Sequence, residues 1–351
     1  MGFPAVTLCN INKVYKPAIA TFIEKLVLRG LTEERVEQFF SNLSKLVQPE
    51  YVDDVFPQTL TILKELNYTT EKLINNEVDS VFEQLDDPVH RVSGAGQFVS
   101  LEVLLHVSVA QYVAYTRSYY GISVLIHSPE DYPQASATTT IAQPGCDVIL
   151  AIIPSVVVSE PSVRTLALKQ RNCFFQDEKK LRTTEKYSFQ SCITECAVDT
   201  IVKQCGCLPF YYSEIHLKDF AGKTRQCNLQ DVGCLRDNRH IISSLQPLSV
   251  TNETVGMKCP GCLPSCSEER YGVQSIIAKR YEADNLISSY GKNLTNHVTL
   301  KVHFKDVTCL KYRRDIFMTW DVTTHLRCAS NTEVQKFLQV LCTTVLTIID
   351  I

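Results

Sequence analysis

The sequence predicts an α+β fold braced by disulfides, and three observations carry that prediction. Helical apolar spacing dominates residues 17–90. Period-two alternation appears on both sides of a later block. That block, between Cys173 and Cys266, holds ten of the chain's 15 cysteines. Strands at both ends of the chain with helices between them make a sheet assembled from distant segments the economical arrangement.

Phe3 to Cys9 reads as a short buried strand. Between Thr32 and Val47, Val36, Phe39, Phe40, Leu43, Leu46 and Val47 fall at helical spacing, with Thr32 placed to cap and Glu33 and Glu34 in the first turn. A second helix is expected from Thr70 to Leu85. After Gly94-Ala95-Gly96 the period changes: Leu101, Val103, Leu105, Val107 and Val109 alternate as a strand. Gly121 to His127 is a further strand, stopped by Ser128-Pro129. Val148 to Val158 is another, expected to be interrupted at Pro154. Val298, Leu300, Val302 and Phe304 alternate again near the end of the chain.

With 35 Lys+Arg against 38 Asp+Glu, the net charge of -3 points to neither nucleic acid nor anionic lipid as a partner. The cysteine density suits an oxidising compartment. Four sequons, at Asn42, Asn67, Asn252 and Asn293, are glycosylation candidates that agree with it. No secretory leader is evident at Met1-Gly2-Phe3-Pro4, and no run of about 18 apolar residues occurs.

Within the block, Tyr187 to Ile201 reads as a helix capped at Ser188 and stopped at Gly206 and Pro209. Cys192 and Cys196 then share a face with Cβ atoms roughly 5–6 Å apart, too far for a disulfide between them. Both should reach one partner segment. Cys205 and Cys207, if extended, point to one side and also want a shared partner. Two segments can serve: Cys227 with Cys234, and the run Cys259, Cys262, Cys266. Spacing does not assign the pairs, because ten cysteines allow about 945 connectivities.

Zinc is the rival reading of Cys259-x-x-Cys262, but a ribbon needs a second such pair and the chain has none. No catalytic set is recognisable: Gly-x-Ser-x-Gly, phosphate-loop, His-Glu-x-x-His and dinucleotide patterns are absent. His127 reads as a structural or surface histidine, and Glu195 and Glu214 as ordinary solvated carboxylates. The reading is therefore of a non-enzyme without catalytic, cofactor-binding or metal residues and without a cofactor.

Phe3-Pro4-Ala5-Val6-Thr7-Leu8-Cys9-Asn10, the C-x3-C and C-x-C of Ser188 to Pro209, and Cys259 to Tyr271 resemble the extracellular region of epithelial sodium channel/degenerin subunits. The insect pickpocket branch is most similar, through Gly121 to Pro133, Gln170 to Cys173 and His303 to Asp315. The resemblance covers roughly residues 3–321 and is strongest over 97–321. It implies a hand-like extracellular domain. Its parts would be a first palm strand (1–15), a helical finger (16–93), palm and β-ball strands (94–168), a cysteine-rich thumb (169–270), a palm return strand and knuckle (271–321) and a divergent tail (322–351). Tyr271 would lie at the palm–thumb junction. The resemblance also implies the pairs Cys173–Cys266, Cys192–Cys262, Cys196–Cys259, Cys205–Cys234 and Cys207–Cys227. It leaves Cys9, Cys146, Cys309, Cys328 and Cys342 unassigned, because the element that supplies the family's partner for Cys9 is not found between Asn67 and Gly94.

The implied function is the extracellular domain of an amiloride-sensitive-type sodium channel subunit, ligand- or mechano-gated, at the plasma membrane. Sodium ions would pass through the full-length channel, other subunits would complete a trimer, and no nucleic acid is involved. The resemblance stops at Trp320-Asp321. Phe337 to Ile351 is apolar over only 15 residues, about 22 Å as a helix against a hydrocarbon core of roughly 30 Å. The expectation is a chain truncated at both ends, lacking both membrane helices and carrying no current alone. A soluble disulfide-rich binding module, or a modulator of full-length subunits, is the alternative.

Overall fold

The computed structural model describes residues 2–12, 16–28, 32–41, 92, 94–113, 117–132, 138–209, 212, 224–245, 256–280 and 294–316. The helix expected over 70–85, the four sequons, Glu214, Cys328, Cys342 and the tail lie outside them. The described residues form a mixed helix and sheet structure in two units, one drawn from 2–158 and 172–312 and the other from 159–171 and 313–316.

In the larger unit, β1 (Ala5–Asn10) runs antiparallel to β3 (Ile122–His127), which runs antiparallel to β4 (Thr138–Ala142). A second sheet is built on β5 (Cys146–Ser159). β9 (His297–Phe304) pairs parallel with β5 on one side, β8 (Glu268–Lys279) pairs antiparallel on the other, and β2 (Leu101–His106) adds antiparallel to β9. A parallel pair needs a long connection. Here residues 160–296 supply it, so the cysteine block is an excursion between two neighbouring strands.

Alternation explains the core. Along β5, Val148, Leu150 and Ile152 are fully buried, as are Val298, Leu300 and Val302 on β9. They share one cluster with Ile122, Val124 and Ile126 of β3, so the two sheets cover each other's apolar faces. Gly121 enters β3 at φ +147°, and a Cβ there would lie 2.5 Å from the carbonyl oxygen of Ala142. Only glycine lets the strand begin that close to β4.

Two expectations change. β5 runs without a break through Pro154, which sits opposite Tyr271 of β8. Its parallel pairing with β9 ends at Ile152, so the imino nitrogen lies beyond the β9 ladder, where proline is tolerated. β2 stops at His106 and does not continue to Val109. Residues 109–111 instead form a turn, held because Asn12 Nδ2 donates to the Gln111 carbonyl and Val113 N–H donates to Asn12 Oδ1.

Helices α1 (Lys16–Val27) and α2 (Glu33–Ser41) precede β2. Val36 N–H donates to the Thr32 carbonyl at 3.1 Å, and Val36 and Phe40 turn inward at 1 % and 0 % exposure. Helix α3 (Phe189–Cys205) is the longest described helix. Ser188 Oγ caps it by accepting from Ser191 N–H, and Gly206 ends it in the left-handed conformation at φ +64°. In the second unit, Glu160 N–H donates to the Arg314 carbonyl and Ser162 Oγ to Asp315 Oδ1.

Candidate functional site

Helix α3 and the segment 256–266 lie side by side and share one buried cluster that includes Ala197 and Met257. Five disulfides brace this region: Cys173–Cys266, Cys192–Cys262, Cys196–Cys259, Cys205–Cys234 and Cys207–Cys227, with Cα–Cα separations of 5.0, 5.7, 6.0, 5.8 and 4.8 Å. Cys192 and Cys196, one helical turn apart, form two rungs onto Cys262 and Cys259. Cys259 and Cys262 therefore go to different partners and make no zinc half-site. Cys146 is a buried free thiol and Cys309 an exposed one. Cys9 lies on β1 opposite Ser123.

The upper end of the ladder is packed by aromatic side chains. Tyr187 is 1 % exposed, meets Phe174 edge-on at 5.1 Å and donates its hydroxyl to the Leu263 carbonyl. Burial pushes its phenol up to about 12. Phe174 N–H donates to Pro264 O, and Cys266 N–H donates to Phe174 O. Lys179 reaches over both rings and donates to Gly261 O at 2.5 Å.

At the lower end, β6 (Cys207–Leu208) pairs with β7 (Arg225–Gln226), and α4 (Val232–Asp237) brings Cys234 to Cys205. Asp231 accepts a bidentate pair from Arg225 at 2.6 and 2.6 Å and also accepts Asn228 N–H. Cys207, Cys227 and Asp231 cluster closely enough to hold a metal ion. The two sulfurs bond each other and the carboxylate is taken by Arg225, so these groups have nothing left to offer a cation.

Glu195 corrects the reading of a solvated carboxylate. It is 9 % exposed, and its Oε1 accepts Arg182 N–H at 2.5 Å and Thr183 N–H at 2.8 Å, while Oε2 faces Arg182 Nε at 3.5 Å. It ties the loop entering the helix to the helix itself. The signal was present in the spacing: Glu195 stands three residues after Cys192 and shares its inward face.

The N-terminal end of α3 meets the loop that follows β3. Lys186 Nζ donates to Glu130 Oε1 at 2.5 Å, Gln176 Nε2 donates to Glu130 Oε2 at 3.3 Å, and Asp131 bonds the Ser188 side chain. His127 is held between Thr7 Oγ1 and the Ser128 carbonyl, each at 2.8 Å. The carbonyl places the proton on Nδ1 and leaves Nε2 to accept from Thr7. Burial lowers the pKa of His127. Tyr271 is buried on β8 and donates to Glu269 Oε2 at 2.7 Å, and its pKa is raised first by burial and then by that carboxylate.

Burial raises the pKa of Asp131, against the Ser188 bond and His127, which lower it, while Glu130 and Glu268 raise it further. A carboxyl whose folded pKa is raised favours the folded state when protonated. Its contribution therefore improves as pH falls through that value and is lost as pH rises. Asp131→Asn removes the charge and keeps an acceptor for Ser188. The variant is expected to gain stability over the parent chain at neutral pH, and the gain should shrink in mild acid. Urea midpoints of both proteins at the two pH values check it; an equal difference at both would contradict it.

Among the described residues no helix is long and apolar enough to cross a membrane. A family model described as amiloride-sensitive sodium channel matches residues 80–324. Pickpocket protein 11 of Drosophila melanogaster is 27% identical over 205 residues, 57% of this chain and 36% of that protein. Sodium channel protein Nach of Drosophila ananassae is 30% identical over 139 residues, 39% of this chain and 26% of that protein. The human epithelial sodium channel subunit beta is 22% identical over 292 residues, 78% of this chain and 42% of that protein. The chain spans about a third of the length of the pickpocket relatives it matches.

Proposed function

Because the chain belongs to the amiloride-sensitive sodium channel family and is pickpocket-like, we propose that its described residues are the extracellular part of a sodium channel subunit, where they pass force or ligand-induced motion toward a gate. The observation that carries this reading is the ladder on α3. Five bridges within about 90 residues persist only outside the reducing cytosol. They also forbid α3 from sliding along the segment 256–266 without breaking covalent bonds. That segment continues through Cys266 directly into β8, which pairs along β5 at the centre of the sheet. A displacement of the helix is therefore delivered to the sheet as a whole.

In this reading residues 169–270 are the thumb, the sheets of 94–168 and 271–321 are the palm and β-ball, and 16–93 belong to the finger. Tyr271, tied to Glu269 where β8 leaves the ladder, stands at the palm–thumb junction. Sodium is the permeating ion of the assembled channel, and the partners are other subunits of a trimer at the plasma membrane. The family consists of ion channels.

The test is co-expression of the 351-residue chain with a full-length pickpocket-type subunit. The expected result is co-purification from the cell surface, with the chain accessible to an impermeant extracellular label, and a changed amiloride-sensitive sodium current. A chain that remains inaccessible, does not co-purify and leaves the current unchanged would end the proposal.

A further inference from the structure

Among the described residues outside the ladder, two imidazoles converge across one strand pair. His106 ends β2 and His297 begins β9, and the antiparallel register places them directly opposite each other. Directly opposed residues share a face with their Cβ atoms about 5 Å apart. The imidazoles meet there, with His106 Nδ1 3.3 Å from His297 Nε2 and ring centroids 4.6 Å apart at 55°. The contact is open to solvent at His106.

We infer that His106 and His297 form a two-imidazole site for a divalent transition-metal cation of the zinc class. Two nitrogens bound to one tetrahedral zinc at about 2.0–2.1 Å stand about 3.3 Å apart, the separation of this hydrogen-bonded pair, so metal entry needs the rings to turn their lone pairs toward one point and needs no movement of the strands. Imidazole is the nitrogen donor such ions prefer, whereas calcium and magnesium prefer oxygen. No proton has to leave. In the bare pair one ring donates N–H to the other; with metal, that proton moves to the far nitrogen of its own ring, and both facing nitrogens present lone pairs. Water fills the remaining positions. The neighbouring cation is Arg280, which donates to the His297 carbonyl at 3.1 Å; its charge is met by Asp147 at 2.9 Å. Along the same face lies the Glu102–Lys301 pair, at 3.3 Å. A cation here would staple β2 to β9, two strands of the central sheet that are 191 residues apart in sequence.

Zinc alone, titrated calorimetrically into the purified full chain carrying Cys309→Ser, tests the site without competition from the exposed thiol. One saturable equivalent is expected, and His106→Ala or His297→Ala should each weaken it at least about tenfold. Cobalt in place of zinc should give visible ligand-field bands with no thiolate charge-transfer band. The exposed position of His106 keeps that variant informative if His297→Ala fails to fold. Three results would overturn the inference: no saturable binding, unchanged affinity in His106→Ala, or a cobalt spectrum dominated by thiolate.

Discussion

Replacing Cys192, Cys196, Cys259 and Cys262 together by alanine is expected to lower the unfolding free energy by about 5 kcal/mol, about 1 kcal/mol more than the two rungs cost one at a time. In the chain-entropy picture a bridge is worth the loop it closes in the unfolded chain. Taken alone, Cys192–Cys262 and Cys196–Cys259 would close 70 and 63 residues. They are not alone. Cys192 and Cys196 are four residues apart and Cys259 and Cys262 three, so while one rung stands the other closes only a short loop, worth about 2 kcal/mol. Removing both leaves the 93-residue loop of Cys173–Cys266 restrained inside only by the nested Cys205–Cys234 and Cys207–Cys227 bridges, which do not hold α3 to the segment 256–266, and the second loss costs more than the first. Alanine is the appropriate replacement because Cys192, Cys259 and Cys262 are buried and a serine hydroxyl there would need a partner. Urea unfolding of the two single-rung variants and the double-rung variant gives the coupling directly. Strict additivity would mean that the rungs do not share one loop.

Glu195→Ala is expected to cost about 2–4 kcal/mol, an unusual loss for a carboxylate on a helix. The side chain is the acceptor for two backbone N–H groups, those of Arg182 and Thr183, in a site with little access to water. Alanine orphans both donors. Arg182 would keep its other partner, Asp199, at 2.8 Å, so the loss measures the backbone bonds more than the ion pair. Glu195→Gln retains an oxygen at the same reach and should cost about half as much or less. Urea midpoints of the two variants separate these effects, and an alanine variant within about 0.5 kcal/mol of the parent chain would refute the assigned role.

The sequence made the regular elements legible where one period dominated. β9 follows from alternation, β3 and β5 from apolar runs bounded by turn residues, and α3 from Ser188, Gly206 and its apolar row. Its errors have local physical causes. Pro154 read as a break because a sequence does not show where a neighbouring strand ends, and β2 was overextended because Val107 and Val109 continue the alternation that Asn12 interrupts from about a hundred residues away. Glu195, Asp131 and the His106–His297 pair were misjudged or missed for a related reason. A carboxylate looks solvated until the segment that covers it is in place, and two histidines 191 residues apart show no sign in sequence of meeting across a strand pair. For the cysteines, facing arguments narrowed the partners to segments, and residue-by-residue pairs came only with the family resemblance.

Non-reducing peptide mapping of the chain, purified from a eukaryotic cell surface, tests the central claim most directly. The account predicts five cross-linked peptides, joining Cys173 to Cys266, Cys192 to Cys262, Cys196 to Cys259, Cys205 to Cys234 and Cys207 to Cys227. Cys192 bonded to Cys196, or these sulfurs reduced in a folded protein that carries stoichiometric zinc, would contradict it.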